Sequence, residues 1–148
     1  MSLEKNKAII HSLYEAFNKQ NLGALDDLIA PDYVDYSRQE RGLESVKHYY
    51  TDIYKGFSDI HLTIQDITAE RDKVWVRFKA NGTHNGEYHG LAPTGNKITV
   101  VGVEIYRIVN GKITGTEWVV EDTLDLYKQL GVIEYTEKAQ KLFPEDVS

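Results

Sequence analysis

The chain has 148 residues, of which 41% are hydrophobic, and this is enough for one domain with its own core. It contains no cysteine, which excludes a disulfide framework, a cysteine nucleophile and a thiolate metal site. The formal net charge of −6 argues against nucleic acid as a partner, because an acidic surface repels phosphate.

The first third of the chain has helical periodicity. Apolar residues at helical spacing predict an amphipathic helix over residues 4–19 and a third helix over 43–54. A short second helix between them ends before Pro31, because proline disfavours helical backbone at the preceding residue. Residues 32–36 are predicted to be extended.

The period changes to two after Gly56. Alternating residues predict strands over 61–67, 74–81, 98–109 and 112–121. The last two strands are joined by Asn110-Gly111, a strong signal for a tight hairpin because both residues accept positive φ. A further helix is predicted over 123–130.

This order of elements predicts an α+β fold, in which N-terminal helices pack on a curved antiparallel sheet of about four to six strands and form a cone-shaped barrel. The open mouth of such a cone is a common ligand site. We predict one domain over residues 1–148, with a core over 6–132 and a helical tail over 133–148. The start of the chain lacks both the apolar run of a signal peptide and a transmembrane stretch. We therefore predict a cytoplasmic protein with no membrane partner.

The histidines do not indicate a metal centre. His11, His48 and His61 share no ligand spacing on one element, and His84 and His89 share a loop without further ligands nearby. The sequence also lacks a glycine-rich phosphate loop and a nucleophile elbow. We predict neither a metal nor a cofactor.

Glu104 lies in an otherwise apolar strand, beside Val103 and Ile105. An ionised carboxylate in an apolar wall is costly unless it is paired or protonated, so Glu104 is a candidate for a pocket residue. The alternative is that this face of the strand meets solvent or a second subunit.

Asp122 follows the strand that contains Trp118 and Val120. Alternation puts these three residues on one side, which the tryptophan and the valine mark as buried. A partly desolvated carboxylate at the rim of such a cavity could exchange protons with a carbonyl compound. The alternative is that Asp122 caps the following helix, and one residue can fill both roles.

Residues 82–95, GTHNGEYHGLAPTG, resemble the GTHxGxxxGxxPTG signature of SnoaL-like polyketide cyclases, in the nuclear transport factor 2-like superfamily. The likeness covers roughly residues 6–132. Further short motifs match the family in the same order along the chain: DYVD at 32–35, FSDI at 57–60, IYRI at 105–108, NGKI at 110–113, EW at 117–118, Asp122 and QLG at 129–131.

The resemblance implies a cofactor-independent intramolecular aldol cyclisation and a homo-oligomer. It also implies that the aspartate four residues after the tryptophan, Asp122, is the acid/base. The family often has a histidine after its Tyr-Val-Asp motif, and this chain has Tyr36 at that position. Tyrosine hydroxyls could stabilise an enolate as neutral donors. The predicted pocket residues are Tyr14, Phe17, Tyr36, Tyr50, Glu104 and Trp118.

Three functions remain open from the sequence. The first is a cyclase or lyase acting on a small hydrophobic or aromatic carbonyl compound. The second is a related isomerase or an epoxide hydrolase, which needs two acidic groups around an arginine; Arg77 and Arg107 lie on strands, on the side opposite their apolar neighbours. The third is a domain that binds a hydrophobic ligand without catalysis. A homodimer is expected because an exposed sheet face needs a cover, and the predicted face holds Val101, Val103, Glu117 and Val119.

Overall fold

The computed structural model describes residues 2–142, so the end of the predicted helical tail lies outside the described residues. None of the helices in this range has the length and apolar character needed to cross a membrane. A 3-10 turn, Leu22–Ala24, leads into the second helix. The helices are α1 (Leu3–Asn18), α2 (Leu25–Leu28), α3 (Leu43–Gly56), α4 (Thr123–Gln129) and α5 (Glu137–Gln140).

Helix α1 forms for reasons that are local in the sequence. The Ser2 side chain accepts a hydrogen bond from the backbone N–H of Lys5 at 3.1 Å and caps the first turn. Ile10, Leu13 and Phe17 then repeat at helical spacing, and all three are buried against the sheet. Helix α1 therefore forms a wall of the core.

The strands form one six-stranded sheet in the order β2-β1-β6-β5-β4-β3. Neighbouring strands are antiparallel except β1 and β6, which are parallel. The sheet is curved and stays open, with β2 and β3 as its edges, and the predicted α+β architecture is confirmed. The strands are β1 (Ile29–Asp35), β2 (Glu40–Arg41), β3 (His61–Glu70), β4 (Lys73–Thr83), β5 (Lys97–Val109) and β6 (Lys112–Glu121).

Pro31 lies inside β1 and not at the end of a helix. Helix α2 already ends at Leu28, three residues before Pro31. Because β1 lies between the two-residue strand β2 and the parallel strand β6, its pairing with β6 is interrupted between Ile29 and Val34. A proline, which has no backbone N–H, fits such an interruption.

The two faces of the sheet differ. The concave face carries Val74 and Val76, which are fully buried, and packs against α1 and α3. The convex face is not covered by any helix of the described part of the chain. Trp75 and Trp118 lie on it, 48% and 57% exposed. The concave face therefore holds the cavity, and the convex face is free for other contacts.

Candidate active site

A cavity lies between α1, α3 and the concave face of the sheet, and it has two recesses. They share Tyr49, Tyr50, Glu104 and Tyr106 as common walls. The recess between β1, β6 and α3 is here called the polar recess, and it encloses about 460 Å³ with its open mouth. The apolar recess lies between α3, β4, β5 and α4 and encloses about 700 Å³ with its mouth. Glu104 thus stands at the junction of the two recesses.

The register of β5 and β6 decides which side chains point inward. Tyr106 pairs with Thr116, but Ile105 pairs with Trp118, so Glu117 is an extra residue in β6. Such a β-bulge moves every following residue of its strand to the other face. After the bulge the inward position is that of Val119, which pairs with Glu104.

The bulge overturns one expectation from alternation. Trp118 and Val120 were expected on the buried side, and this is wrong: they are 57% and 52% exposed on the convex face. Val119 was expected on the outer face, and it lies on the inner one. Two-residue counting fails here because the strand contains one residue more than its partner between the paired positions.

The carboxyl group of Glu104 has an environment suited to proton transfer. Burial removes water from the carboxylate and raises its pKa from 4.5 to about 7. The Arg38 guanidinium lowers the pKa, and the carboxylates of Glu121 and Asp35 raise it. A carboxyl that titrates near neutral pH can act as base and as acid in the same reaction.

A charged cluster forms one side of the polar recess. Arg38 Nη1 donates to Asp35 Oδ2 at 2.6 Å, and the guanidinium carbon lies 3.8 Å from the ring centroid of Tyr49. Asp35 Oδ1 accepts from the backbone N–H groups of Ser37 and Arg38, both at 2.9 Å. The turn after β1 therefore holds Arg38 in a defined position toward the cavity.

Several tyrosine hydroxyls surround Glu104. Burial raises the pKa of Tyr14, Tyr33, Tyr49 and Tyr50, so all four stay neutral and can donate hydrogen bonds. The hydroxyls of Tyr33 and Thr116 lie 2.6 Å apart. The Tyr14 hydroxyl is buried next to the Glu104 carboxyl, and the charge and hydrogen-bonding of that carboxyl add to the raised pKa of Tyr14.

The apolar recess is lined mainly by aromatic and aliphatic side chains. Phe17 and Tyr50 meet edge to face, with ring centroids 4.8 Å apart. Among residues 2–142, Glu104 and Glu121 are the carboxylates that line it. A flat hydrophobic group fits such walls. The other apolar walls are Ile53, Phe57, Ile60, Leu62, Phe78, Ala80, Ile98, Val100 and Leu126.

The residues proposed for the site from sequence fall into two groups. Phe17, Tyr50 and Glu104 line the cavity, and Tyr14 packs behind Glu104. Tyr36 is 57% exposed, and it lines neither recess. The same holds for Trp118.

Asp122 is exposed, and its Oδ1 accepts a hydrogen bond from the backbone N–H of Asp125 at 3.0 Å. The capping alternative for Asp122 is therefore confirmed. Its catalytic role stays a prediction.

Sequence reasoning did not identify five residues that line the cavity. Asp35 and Tyr33 could have been found, because alternation puts them on one face of the predicted extended segment. Arg38 lies in a turn and carries no signal, whereas Tyr49 shares the helical spacing of Val46 and Tyr50 in the third predicted helix. Glu121 could be recognised as a cavity residue only in the structure, because the bulge turns it to the concave face.

Histidines do not contribute to the cavity walls. The His84 ring is fully buried, and its Nδ1 accepts from the backbone N–H of Thr94 at 3.2 Å. His89 is exposed. Among residues 2–142 no group of three or more histidine, aspartate or glutamate side chains is arranged to hold a metal ion.

The raised pKa of Glu104 predicts a pH-dependent cost to the fold. Since the folded protein binds this proton more tightly than the unfolded chain does, the free energy of unfolding falls as the pH rises from 4.5 to about 7. The variant Glu104→Gln is therefore expected to melt above wild type at about pH 8 and to lose this advantage near about pH 4. Thermal unfolding at both pH values tests this, and an equal difference at both would contradict it.

The comparisons with known proteins agree on the family and the fold, although one structural neighbour is named for a different activity. A family model described as SnoaL-like polyketide cyclase matches residues 7–130. Aklanonic acid methyl ester cyclase AcmA of Streptomyces galilaeus is 29% identical over 131 residues, which are 84% of this chain and 89% of that protein. AclR, a proposed hydroxylase from Streptomyces galilaeus, superposes with a TM-score of 0.83 and 28% identity over 96% of this chain and 91% of that one. IdmH, a proposed polyketide cyclase from Streptomyces antibioticus, superposes with a TM-score of 0.76 and 31% sequence identity. The match covers 85% of this chain and 98% of that one.

Proposed function

Because this chain belongs to the SnoaL-like polyketide cyclase family, we propose that it catalyses the intramolecular aldol cyclisation of a small polyketide-type carbonyl compound without a cofactor. The observation that carries the proposal is the position of Glu104 at the junction of the two recesses, with a pKa of about 7. A base of this strength suits the acidic C–H between two carbonyl groups.

The reaction begins with proton removal. The Glu104 carboxylate takes the proton from the carbon α to a carbonyl, and the electron pair of that C–H bond forms an enolate. Neutral hydroxyls of Tyr49 and Tyr50, which line both recesses, are the proposed donors to the enolate oxygen, because fixed neutral donors stabilise charge that develops there. The enolate carbon then attacks a second carbonyl of the same molecule and closes the ring.

The two recesses suggest how the substrate lies. The end of the molecule that carries oxygen atoms fits the polar recess, where Arg38, Tyr33 and Thr116 offer hydrogen bonds. The hydrophobic part fits the apolar recess. In this orientation the reacting carbon lies beside Glu104.

Asp122 remains a second candidate for the acid/base, since the resemblance assigns that role to its position. It lies beyond the end of β6 and lines neither recess, and its carboxylate is occupied in the cap of α4. Catalysis by Asp122 would require that carboxylate to leave the cap.

The proposal is tested by incubating the protein with aklanonic acid methyl ester, the compound in the name of a curated relative, and following ring closure by chromatography and mass spectrometry. Cyclised product above the buffer control is the expected result. Ligand-induced stabilisation without any product would point to a binding domain instead.

A hydrolase acting on an epoxide is a second candidate. Arg38 contacts Asp35 and also lowers the pKa of Glu104, so two carboxylates share one arginine at the cavity. Arg77 and Arg107, the arginines considered from sequence, are exposed, and Arg107 pairs with Glu117 on the convex face. Release of a diol from an aryl-substituted epoxide, without cyclisation of the ester, would favour this function.

The convex face of the sheet supports a homodimer. Trp75, Ile105 and Trp118 lie side by side across β4, β5 and β6, and Val103 and Val120 form the next row. Three of these five side chains are about half exposed. Large exposed apolar patches are typical of protein interfaces. We propose that a second copy of the chain covers this face.

The variant Trp118→Glu is expected to weaken the dimer by about 2 kcal/mol or more, or about 30-fold in Kd, because tryptophans at the centre of an interface contribute most of its energy. Light scattering at micromolar concentration measures this. Val132→Glu, an equally exposed apolar residue after α4, is the control and should leave the dimer intact. A wild type that is monomeric under these conditions contradicts the proposal.

We further propose that the whole chain acts as one cytoplasmic domain with its core over residues 6–132. Fractionation of cells that express the protein tests its location. Limited proteolysis tests its domain limits, since a single domain is expected to resist cleavage within the core.

A further inference from the structure

We infer that Glu121 is a second catalytic residue, which protonates the new alkoxide while Glu104 takes the proton from the α-carbon. This inference rests on the proposed cyclase function and adds a division of labour between two carboxyl groups. It assigns the chemistry at the end of β6 to Glu121 and not to its neighbour Asp122.

The register of the sheet brings Glu121 to the cavity. Gly102 pairs with Glu121, and Glu104 pairs with Val119, so the two glutamates are diagonal neighbours on the concave face. Diagonal neighbours in an antiparallel pair have α-carbons about 7–8 Å apart, which lets both long side chains reach one ligand. Gly102 itself has no side chain, and the ring of Phe78 packs against it.

The surroundings of Glu121 suit a carboxyl group that donates a proton. It lines the apolar recess and is half-buried. Burial raises its pKa, and the Arg38 guanidinium opposes this. The other titratable groups that face it are Glu104, Tyr49 and Tyr88, whose pKa values its charge raises.

Two carboxylates in one cavity favour a state with a single shared proton. Each negative charge makes ionisation of the other less favourable, so the pair loses its two protons in separate steps and passes through a state that holds one proton. Arg38 lies between β1 and β2 and stabilises whichever carboxylate is charged. In the form of this state in which Glu121 carries the proton, an acid and a base are present together.

The proton balance of the reaction closes with these two groups. Glu104 carboxylate takes the α-proton and becomes neutral, and the enolate carbon forms the new C–C bond to the acceptor carbonyl. The π electrons of that carbonyl move to its oxygen, and neutral Glu121 gives its proton to this alkoxide. A proton then passes from Glu104 to Glu121, directly or through water, and restores the starting state.

The test separates the two proton transfers. Glu121→Gln keeps the size of the side chain but cannot donate a carboxyl proton. Two rates are measured: ring closure of aklanonic acid methyl ester, and deuterium uptake in D₂O at the α-carbon of a β-keto ester that lacks an acceptor carbonyl. The variant is expected to lose about 10²–10⁴-fold in ring closure but to keep deuterium uptake within about twofold.

The pH profile gives an independent readout. In wild type, ring closure should fall at high pH, when the shared proton is lost, and at low pH, when Glu104 is protonated. In Glu121→Gln the fall of the ring-closure rate at high pH should be absent, and the fall at low pH should remain. Glu117→Gln, the same change on the convex face of the same strand, is the matched control and should behave as wild type.

Each outcome decides the question. If Glu121→Gln closes the ring at the wild-type rate with both limbs present, the inference is wrong and the proposed function stands. If deuterium uptake is lost together with ring closure in a folded variant, the two groups have no separate roles. If wild type itself does neither reaction, the proposed function fails first. If Glu121→Gln does not fold, Glu121→Asp replaces it in the test. Because aspartate can still donate a carboxyl proton, this variant must keep the fall of the ring-closure rate at high pH.

Discussion

Replacing Glu104 with glutamine is expected to lower the rate of ring closure by about 10²–10⁴-fold, the usual contribution of a positioned proton-transfer group. The reason is chemical and not steric, since glutamine has the same size but no basic oxygen of comparable strength. In wild type the rate should rise as the pH passes about 7, where the Glu104 carboxyl ionises. In the variant this rise should be absent.

Two further variants sharpen the result. Asp122→Asn tests the role that the family resemblance implies, and a loss as large as that of Glu104→Gln would return the acid/base role to Asp122. Glu70→Gln, at the exposed end of β3, controls for the loss of one negative charge. Full activity in Glu104→Gln, measured on protein with the expected melting temperature, would remove the central residue of the proposal.

A second large effect is expected from Gly86→Ala. A β-carbon built on Gly86 would lie 1.9 Å from the backbone oxygen of Lys55, at the end of α3. Because that oxygen belongs to the backbone, the loop must move away from the helix. Gly86 and Asn85 would then lose their hydrogen bonds to the Gly56 oxygen, both 3.1 Å long. We expect a loss of about 1–3 kcal/mol, or roughly 2–12 °C in Tm for a chain of this size.

Gly23→Ala is the matched control for this change. A β-carbon at Gly23 would meet only Asn21 Oδ1 at 3.6 Å, an ordinary contact, and Gly23 does not have positive φ. This variant should be neutral or slightly more stable than wild type. Equal melting temperatures for both variants would show that the loop accommodates a side chain at position 86.

The glycine explains part of the sequence signature that revealed the family. Within that signature His84 is buried, Thr83 donates to Asp59 from its N–H and its hydroxyl, and the amide of Asn85 donates to the hydroxyl of Ser58. None of these groups lines either recess. The signature therefore encodes how the loop after β4 is held against the end of α3. The signature also contributes one side chain to the cavity, since Tyr88 lines the apolar recess.

Periodicity predicted the regular elements because apolar spacing is a local property. Helix α1, helix α3 and strands β3 to β6 were all found within a few residues of their bounds. The parallel pairing of β1 with β6 was not predicted, because it joins segments far apart in the chain and depends on the whole sheet.

The same difference between local and long-range information applies to the candidate site. Glu104 could be found as a charged residue in an apolar strand, although the sequence left open whether its face met solvent. Glu121 could not be found, since one extra residue at Glu117 exchanged the two faces of β6. A bulge is a property of two strands together, and neither strand contains it alone.

The pairing of β1 with β6 also bears on how the molecule folds. The contact between the Tyr33 and Thr116 hydroxyls joins residues 83 positions apart, so the polar recess exists only after most of the chain has been ordered. Contacts of such long range slow folding, because the entropy of closing the loop is lost before the contact stabilises the chain. During synthesis the first half of the protein can form α1 to α3, but its catalytic cavity must await the last strand.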